Sequence, residues 1–146
     1  MNFYFRDINK ENWKEAVDLR VKDEQSDFIE SNALSIAESK YVENWIVKGI
    51  YLEEELIGFT MYGYFDDDKR VWLDRFMIDY KFQGKGYGKK GLLKLIEHIA
   101  NEFKVKKIYL SIFENNKGAL RLYEKIGFKF TGELDYGGEK VMELNL

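Results

Sequence analysis

Residues 79–91, DYKFQGKGYGKKG, hold four of the chain's twelve glycines and four of its lysines. Glycine lets a backbone approach a ligand closely, and lysine adds mobile positive charge. At the start of a helix these residue types suit an anion, above all a pyrophosphate held on backbone N–H groups. Several frames compete for the stretch. From Gly86 it matches the dinucleotide pattern G-x-G-x-x-G, but that pattern follows a buried strand directly and opens its domain. The Walker frame fails, because Gln83 stands where its first glycine belongs and Lys90 where serine or threonine is required. An ordinary glycine-rich turn remains open, although closely spaced glycines are an entropically costly way to build one.

Other chemistries are limited by residue type. The chain has no cysteine, which excludes a disulfide framework, a thiolate metal site and a cysteine nucleophile. His98 is the only histidine. It falls with Gly91, Lys94 and Glu102 on the polar side of an expected helix and should face solvent, so neither a serine–histidine triad nor a histidine metal site is expected.

The elements that must position the loop follow from periodicity. Residues 3–8 alternate as a strand, and KENWKEAVDLRV carries an apolar stripe of Trp13, Ala16, Val17 and 19–21, with Asp7 or Asn9 as cap. A second helix lies within residues 30–47. GIYLEE and ELIGFTMYGYF form a hairpin turning at Glu54, and RVWLDRFMID (residues 70–79) is the next strand. A helix over about residues 86–103 presents Leu92, Leu95, Ile96, Ile99 and Phe103 at helical spacing. KKIYLSIF, a short helix closed by Gly127, and two strands around DYGG complete the chain. The order β-α-α-β-β-β-α-β-α-β-β predicts an α/β (α+β) domain spanning residues 1–146. About seven strands form its mixed sheet, about four helices flank it, and the strands on either side of the long helix run parallel.

Composition narrows the partners. Twenty-three basic residues against twenty-six acidic ones give a net charge of −3. A nucleic-acid binder shows a basic excess, so none is expected; the acidic bias favours a cationic small molecule. There is neither a signal-peptide pattern nor an apolar run of about 20 residues, so no membrane association is expected and the cytoplasm is the expected location.

Gln83-Gly84-Lys85-Gly86-Tyr87-Gly88 after WLDRFMID resembles the acetyl-CoA motif of the GNAT superfamily of N-acetyltransferases. Glu114-Asn115-Asn116, Ala119, Leu122-Tyr123 and Gly127-Phe128 are similar to the superfamily's second motif, N-x-x-A-x-x-[LF]-Y-x-x-x-G-F. Two motifs in order are far more specific than either alone. RVWLDRFMID, YLSIFENN, GELDYGGEKVM and FIES further resemble the bacterial spermine/spermidine (diamine) N-acetyltransferases.

The resemblance implies acetyl-CoA as cosubstrate, bound mainly by residues 71–146, with the amine acceptor on residues 1–70. It implies cofactor contacts from Phe76, Ile78, Gln83, Gly84, Lys85, Gly86, Tyr87, Gly88, Lys89, Asn115, Ala119 and Tyr123. The N–H groups of Phe76 and Ile78 would serve as oxyanion donors and Tyr123 as general acid. Asn115 would bind the cofactor or cap its helix. Lys117 and Arg121 would meet another CoA phosphate or remain solvated. Asp74 would be base or substrate anchor, or would only pair with a neighbouring arginine. Glu30 and Tyr62 are expected on the acceptor, with Asp27, Glu38, residues 66–68, Tyr64 and Trp72 as further candidates. Without cysteine or a placed histidine, direct transfer in a ternary complex is expected, and the resemblance implies a polyamine as acceptor. Another amine acceptor and a non-catalytic CoA or polyamine sensor are the alternatives, and homodimers are common in the family.

Overall fold

The computed structural model describes residues 1–146. Its seven strands are β1 (Phe3–Asp7), β2 (Trp45–Leu52), β3 (Glu55–Phe65), β4 (Arg70–Ile78), β5 (Lys107–Ile112), β6 (Lys129–Leu134) and β7 (Lys140–Asn145). The helices are α1 (Trp13–Asp18), α2 (Asn32–Tyr41), α3 (Tyr87–Phe103) and α4 (Lys117–Ile126). One sheet runs β1-β2-β3-β4-β5-β7-β6. Only β4 and β5 are parallel, with α3 as the crossover between them.

The sheet is covered on both faces. On one, Ala16 of α1 packs with Tyr51, Phe59 and Met77 of the strands. On the other, Leu92, Leu95, Ile96 and Ile99 of α3 join Val71, Leu73, Ile108 and Phe128. Leu92, Leu95 and Ile99 are fully buried, and each such side chain contributes on the order of 1.5–3 kcal/mol. Gly91 faces inward: a Cβ there would lie 3.3 Å from the Phe3 ring, so glycine lets α3 settle close to β1.

Two local features depart from the periodicity. Helix α1 stops at Asp18 because the following backbone is recruited elsewhere. Arg20 N–H donates to Asp79 Oδ1 at 2.8 Å, and the Arg20 carbonyl accepts from Tyr80 N–H at 2.7 Å. A 3-10 turn then occupies Asp23–Phe28. His98 is half-buried rather than solvent-facing, with its ring 5.3 Å from Phe5 and its Nε2 3.5 Å from Glu102.

The sheet opens where the chemistry is expected. The β4–β5 ladder pairs Trp72 with Tyr109 and no residue of β4 beyond it. Met61 pairs with Arg75 and Tyr62 with Leu73, which leaves Asp74 as the extra residue of a β-bulge. A bulge shifts the alternation of its strand. Val71 and Leu73 before it, and Phe76 after it, all pack toward α3, whereas Met77 packs toward α1.

Candidate active site

The parting of β4 from β5 forms a cleft of about 610 Å³, within the usual range for a small-molecule site. Residues 74–78 make one wall, Ser111, Ile112 and Phe113 the other, and α4 with its N-cap residue contributes Asn116, Gly118, Ala119, Leu122 and Tyr123. The 3-10 turn and the residues after it close one end of the cleft with Asp27, Phe28, Ile29 and Glu30.

Backbone direction along β4 follows from two contacts on its β3 side. Asp79 N–H donates to the Ile57 carbonyl at 2.8 Å, and the Arg75 carbonyl accepts from Thr60 Oγ1 at 2.7 Å. Groups in an extended strand alternate sides, so the N–H groups of Phe76 and Ile78 point to the open edge. The Ile78 carbonyl on that edge accepts from Gln83 Nε2 at 2.9 Å. Gln83 Nε2 also donates to Gln25 Oε1 at 3.1 Å, tying the glycine loop to the 3-10 turn.

The loop then enters α3. Gly84 and Gly86 have φ of +78° and +84°, and Gly86 is the left-handed N-cap. A Cβ built at Gly84, Gly86 or Gly88 meets nothing within 4 Å, so protein packing does not require these glycines. They instead leave open space before a helix N-terminus, the environment a pyrophosphate needs. The residues present fit the CoA group on this ground.

A family model for the acetyltransferase (GNAT) family matches residues 5–128. The chain belongs to that family. It is 47% identical to the spermine/spermidine N(1)-acetyltransferase of Bacillus subtilis (strain 168), over 97% of both chains. The probable spermine N(1)-acetyltransferase of Bacillus subtilis subsp. natto (strain BEST195) matches at 47% with the same coverage. Among solved structures, an aminoglycoside acetyltransferase in complex with coenzyme A aligns with a TM-score of 0.80 at 18% identity, over 99% of this chain and 95% of that one. The spermidine N-acetyltransferase of Vibrio cholerae, in complex with CoA and spermine, gives 0.73 at 18%, over 99% and 94%. Those two likenesses concern the fold.

The GNAT acetyltransferase places several expected residues in its cleft: Asp74, Phe76, Ile78, Gln83, Gly84, Gly88, Ala119, Tyr123 and Glu30. The side chains of Lys85 and Lys89 are exposed beside it. Two expectations, Tyr62 and Asn115, need correction, and that for Tyr87 is narrowed to its backbone. Tyr62 lies fully buried beneath α3, its hydroxyl donating to Glu102 Oε1 at 2.8 Å, so it cannot reach an acceptor. Burial first, and the Glu102 carboxylate second, push its phenol well above the ordinary value. Tyr87 sets its ring edge-on to Phe3, 6.4 Å away, and its backbone begins the first turn of α3. Asn115 is exposed outside the cleft; its neighbour Asn116 is the N-cap residue of α4 and lines the site. Counting back three positions from Ala119 would have chosen Asn116.

The further aromatic candidates are also occupied elsewhere. Tyr64 stacks on Phe103, and Trp72 Nε1 donates to Asp68 Oδ2 at 2.9 Å. The apolar surface at the end closed by the 3-10 turn comes instead from Phe28 and Ile29.

Electrostatics at that end centre on Asp74. Burial raises its carboxyl above the ordinary range; Arg75 opposes this, and Glu38, Asp135 and Glu30 add to it. Glu139, also on the cleft wall, is raised by burial and then by Asp135 and Asp74. Periodicity gives no sign that a turn some sixty residues from Asp74 contributes these acids; the β6–β7 connection brings them there. Tyr123 lines the cleft from α4. Its ring packs edge-on against Phe128 at 5.6 Å, and burial pushes its phenol up to about 12.

Proposed function

We propose that this acetyltransferase moves an acetyl group from acetyl-CoA directly to a primary amine of a polyamine such as spermidine or spermine. One observation carries the acceptor class: Asp74, Glu30 and Glu139 line one end of the cleft, Glu38 and Asp135 add their negative charge to Asp74, and Arg75 is the cation among them. A chain of ammonium groups separated by methylenes suits carboxylates set beside Phe28 and Ile29. The 47% identity to curated spermine/spermidine acetyltransferases supports the same acceptor.

Bound acetyl-CoA supplies the acyl thioester. An alkylammonium has a pKa around 10, so only about one molecule in a thousand is neutral at pH 7. Asp74 accepts the proton, directly or through a water, and a raised carboxyl pKa makes it a better base than an ordinary aspartate. The N–H groups of Phe76 and Ile78 donate to the carbonyl oxygen as negative charge develops there. Tyr123, protonated throughout the working range, donates to the departing sulfur.

Thiol release from acetyl-CoA, measured across a panel of amines, tests the function. Spermidine and spermine should outperform amino acids and aminoglycosides. Thiol release with none of these amines, alongside measurable CoA binding, would leave a sensor and overturn the proposal. Asp74→Asn separates base from anchor. As base, its loss lowers kcat by about 100-fold at pH 7, and the deficit shrinks toward pH 10, where free amine becomes neutral unaided. A rise in KM for the amine with unchanged kcat assigns anchoring instead.

Gly88→Leu tests the phosphate loop. Leucine is favoured over glycine within a helix by up to about 1 kcal/mol, so the free protein should melt no lower than wild type. Its side chain occupies the open space before α3, so KM for acetyl-CoA should rise by about tenfold or more. An unchanged KM would place the pyrophosphate elsewhere.

A further inference from the structure

Arg75 follows the bulge residue and is largely buried, its side chain 14% exposed. Every arm of the guanidinium is engaged. Nη1 donates to both the backbone carbonyl and Oδ2 of Asp74, the carbonyl at 3.2 Å. Nε donates to Ser35 Oγ at 3.1 Å, and Nη2 lies 3.6 Å from Glu38 Oε1. Ser35 is fully buried in α2 and its hydroxyl donates to the Ser31 carbonyl at 3.3 Å, so the anchor is itself fixed. A rigid planar fork held at its base by α2 thus closes a ring with the main chain and carboxylate of the same residue.

The geometry points to Arg75 as the positioning residue of the reaction, holding the Asp74 carboxylate in the cleft as an anion while sharing its charge with Glu38. The catalytic part of this inference rests on Asp74 being the base. Its electrostatic part stands independently. Glu30 from the segment before α2, Glu38 from α2, and Asp135 and Glu139 from the β6–β7 connection surround Asp74, with Tyr123 on α4 also lining the cleft. Arg75 is the cation that acts on Asp74 against burial and this negative field. Without it, Asp74 would retain its proton to a higher pH and could not accept one from an ammonium. Glu38 acts in the opposite sense twice over: it adds negative charge and it draws the guanidinium from Asp74.

Two neighbouring substitutions should therefore move one titration in opposite directions. In Arg75→Gln the Asp74 carboxyl, followed by carboxyl carbon NMR in the free protein, should titrate about one pH unit higher. The acid limb of kcat at saturating spermidine should follow it. Arg75→Lys should restore much of the shift, and Glu38→Gln should move both readings below wild type. A merely structural tie between α2 and β4 would lower kcat or the melting temperature and leave the titration in place; that result overturns the inference. If Arg75→Gln does not fold, Glu38→Gln decides: an Asp74 titration that stays put or rises there also overturns it. A carboxyl titration that moves as stated, with kcat unaffected by Asp74→Asn, retains Arg75's electrostatic role and rejects Asp74 as base.

Discussion

Tyr123→Phe should lower kcat by about two to three orders of magnitude while KM for acetyl-CoA changes by less than about threefold. The substitution removes one oxygen and keeps the ring, so the edge-on contact with Phe128 survives. No protein group takes the Tyr123 hydroxyl, and no buried polar side-chain atom in the fold lacks a partner, so this hydroxyl opens on the cleft. Its pKa of about 12 keeps it a donor throughout the working range, so it can serve as an acid and not as a base. Any fall in rate between pH 8 and about 10 must then come from another group. Steady-state thiol release with saturating spermidine checks the effect. Wild-type kcat in the variant would remove Tyr123 from the chemistry and leave it a packing residue of α4.

Phe128→Ala should cost about 3–5 kcal/mol of stability, equivalent to a drop of roughly 10 °C in melting temperature for a domain of this size. Phe128 is 2% exposed and packs in the cluster that joins α3 to β5 and β7. It also holds the end of α4. Gly127, with φ of +119°, turns the chain out of the helix, and Phe128 N–H donates to the Tyr123 carbonyl at 3.0 Å. Deleting the ring empties the core and removes the surface on which the Tyr123 ring rests, so kcat should fall together with stability. Phe128→Leu fills most of the volume and should cost less than half as much. Urea unfolding of the two variants measures the difference; equal and small losses would show that the cluster collapses around the gap.

The order of elements was legible because each has its own periodicity. Leu92, Leu95, Ile96 and Ile99 repeat as one helical face, and all four are buried in α3. The parallel β4–β5 pair followed from the crossover helix between them. The glycine loop was legible as an anion-suited opening of a helix because the residue types carry the physics, whichever neighbours surround them. Asn116 was also within reach, since its distance from Ala119 is a matter of counting.

Tyr62 was not legible. Strand β3 is buried along most of its length, on both faces, so alternation cannot say which residues face a cleft and which face α3. The direction of the Phe76 and Ile78 N–H groups was fixed only by the β3-side contacts of Arg75 and Asp79, because the bulge at Asp74 reverses every later side chain in β4. The acidic surround of Asp74 was not legible either. Glu38 and Glu139 stand on a helix and a hairpin far apart along the chain, and Arg75 gains its role only when α2 brings Ser35 and Glu38 against it.

The sequence alone determined what depends on residue type and short-range spacing: an α/β domain, a pyrophosphate-suited loop before a helix, a tyrosine in motif register, and no cysteine chemistry. The tertiary structure decided what depends on separation in space. Coulombic attraction and desolvation fall off with distance and burial, not with position along the chain. For that reason it took the folded sheet to show which carboxylates surround Asp74, which cation answers them, and where β4 stops pairing to leave room for a substrate.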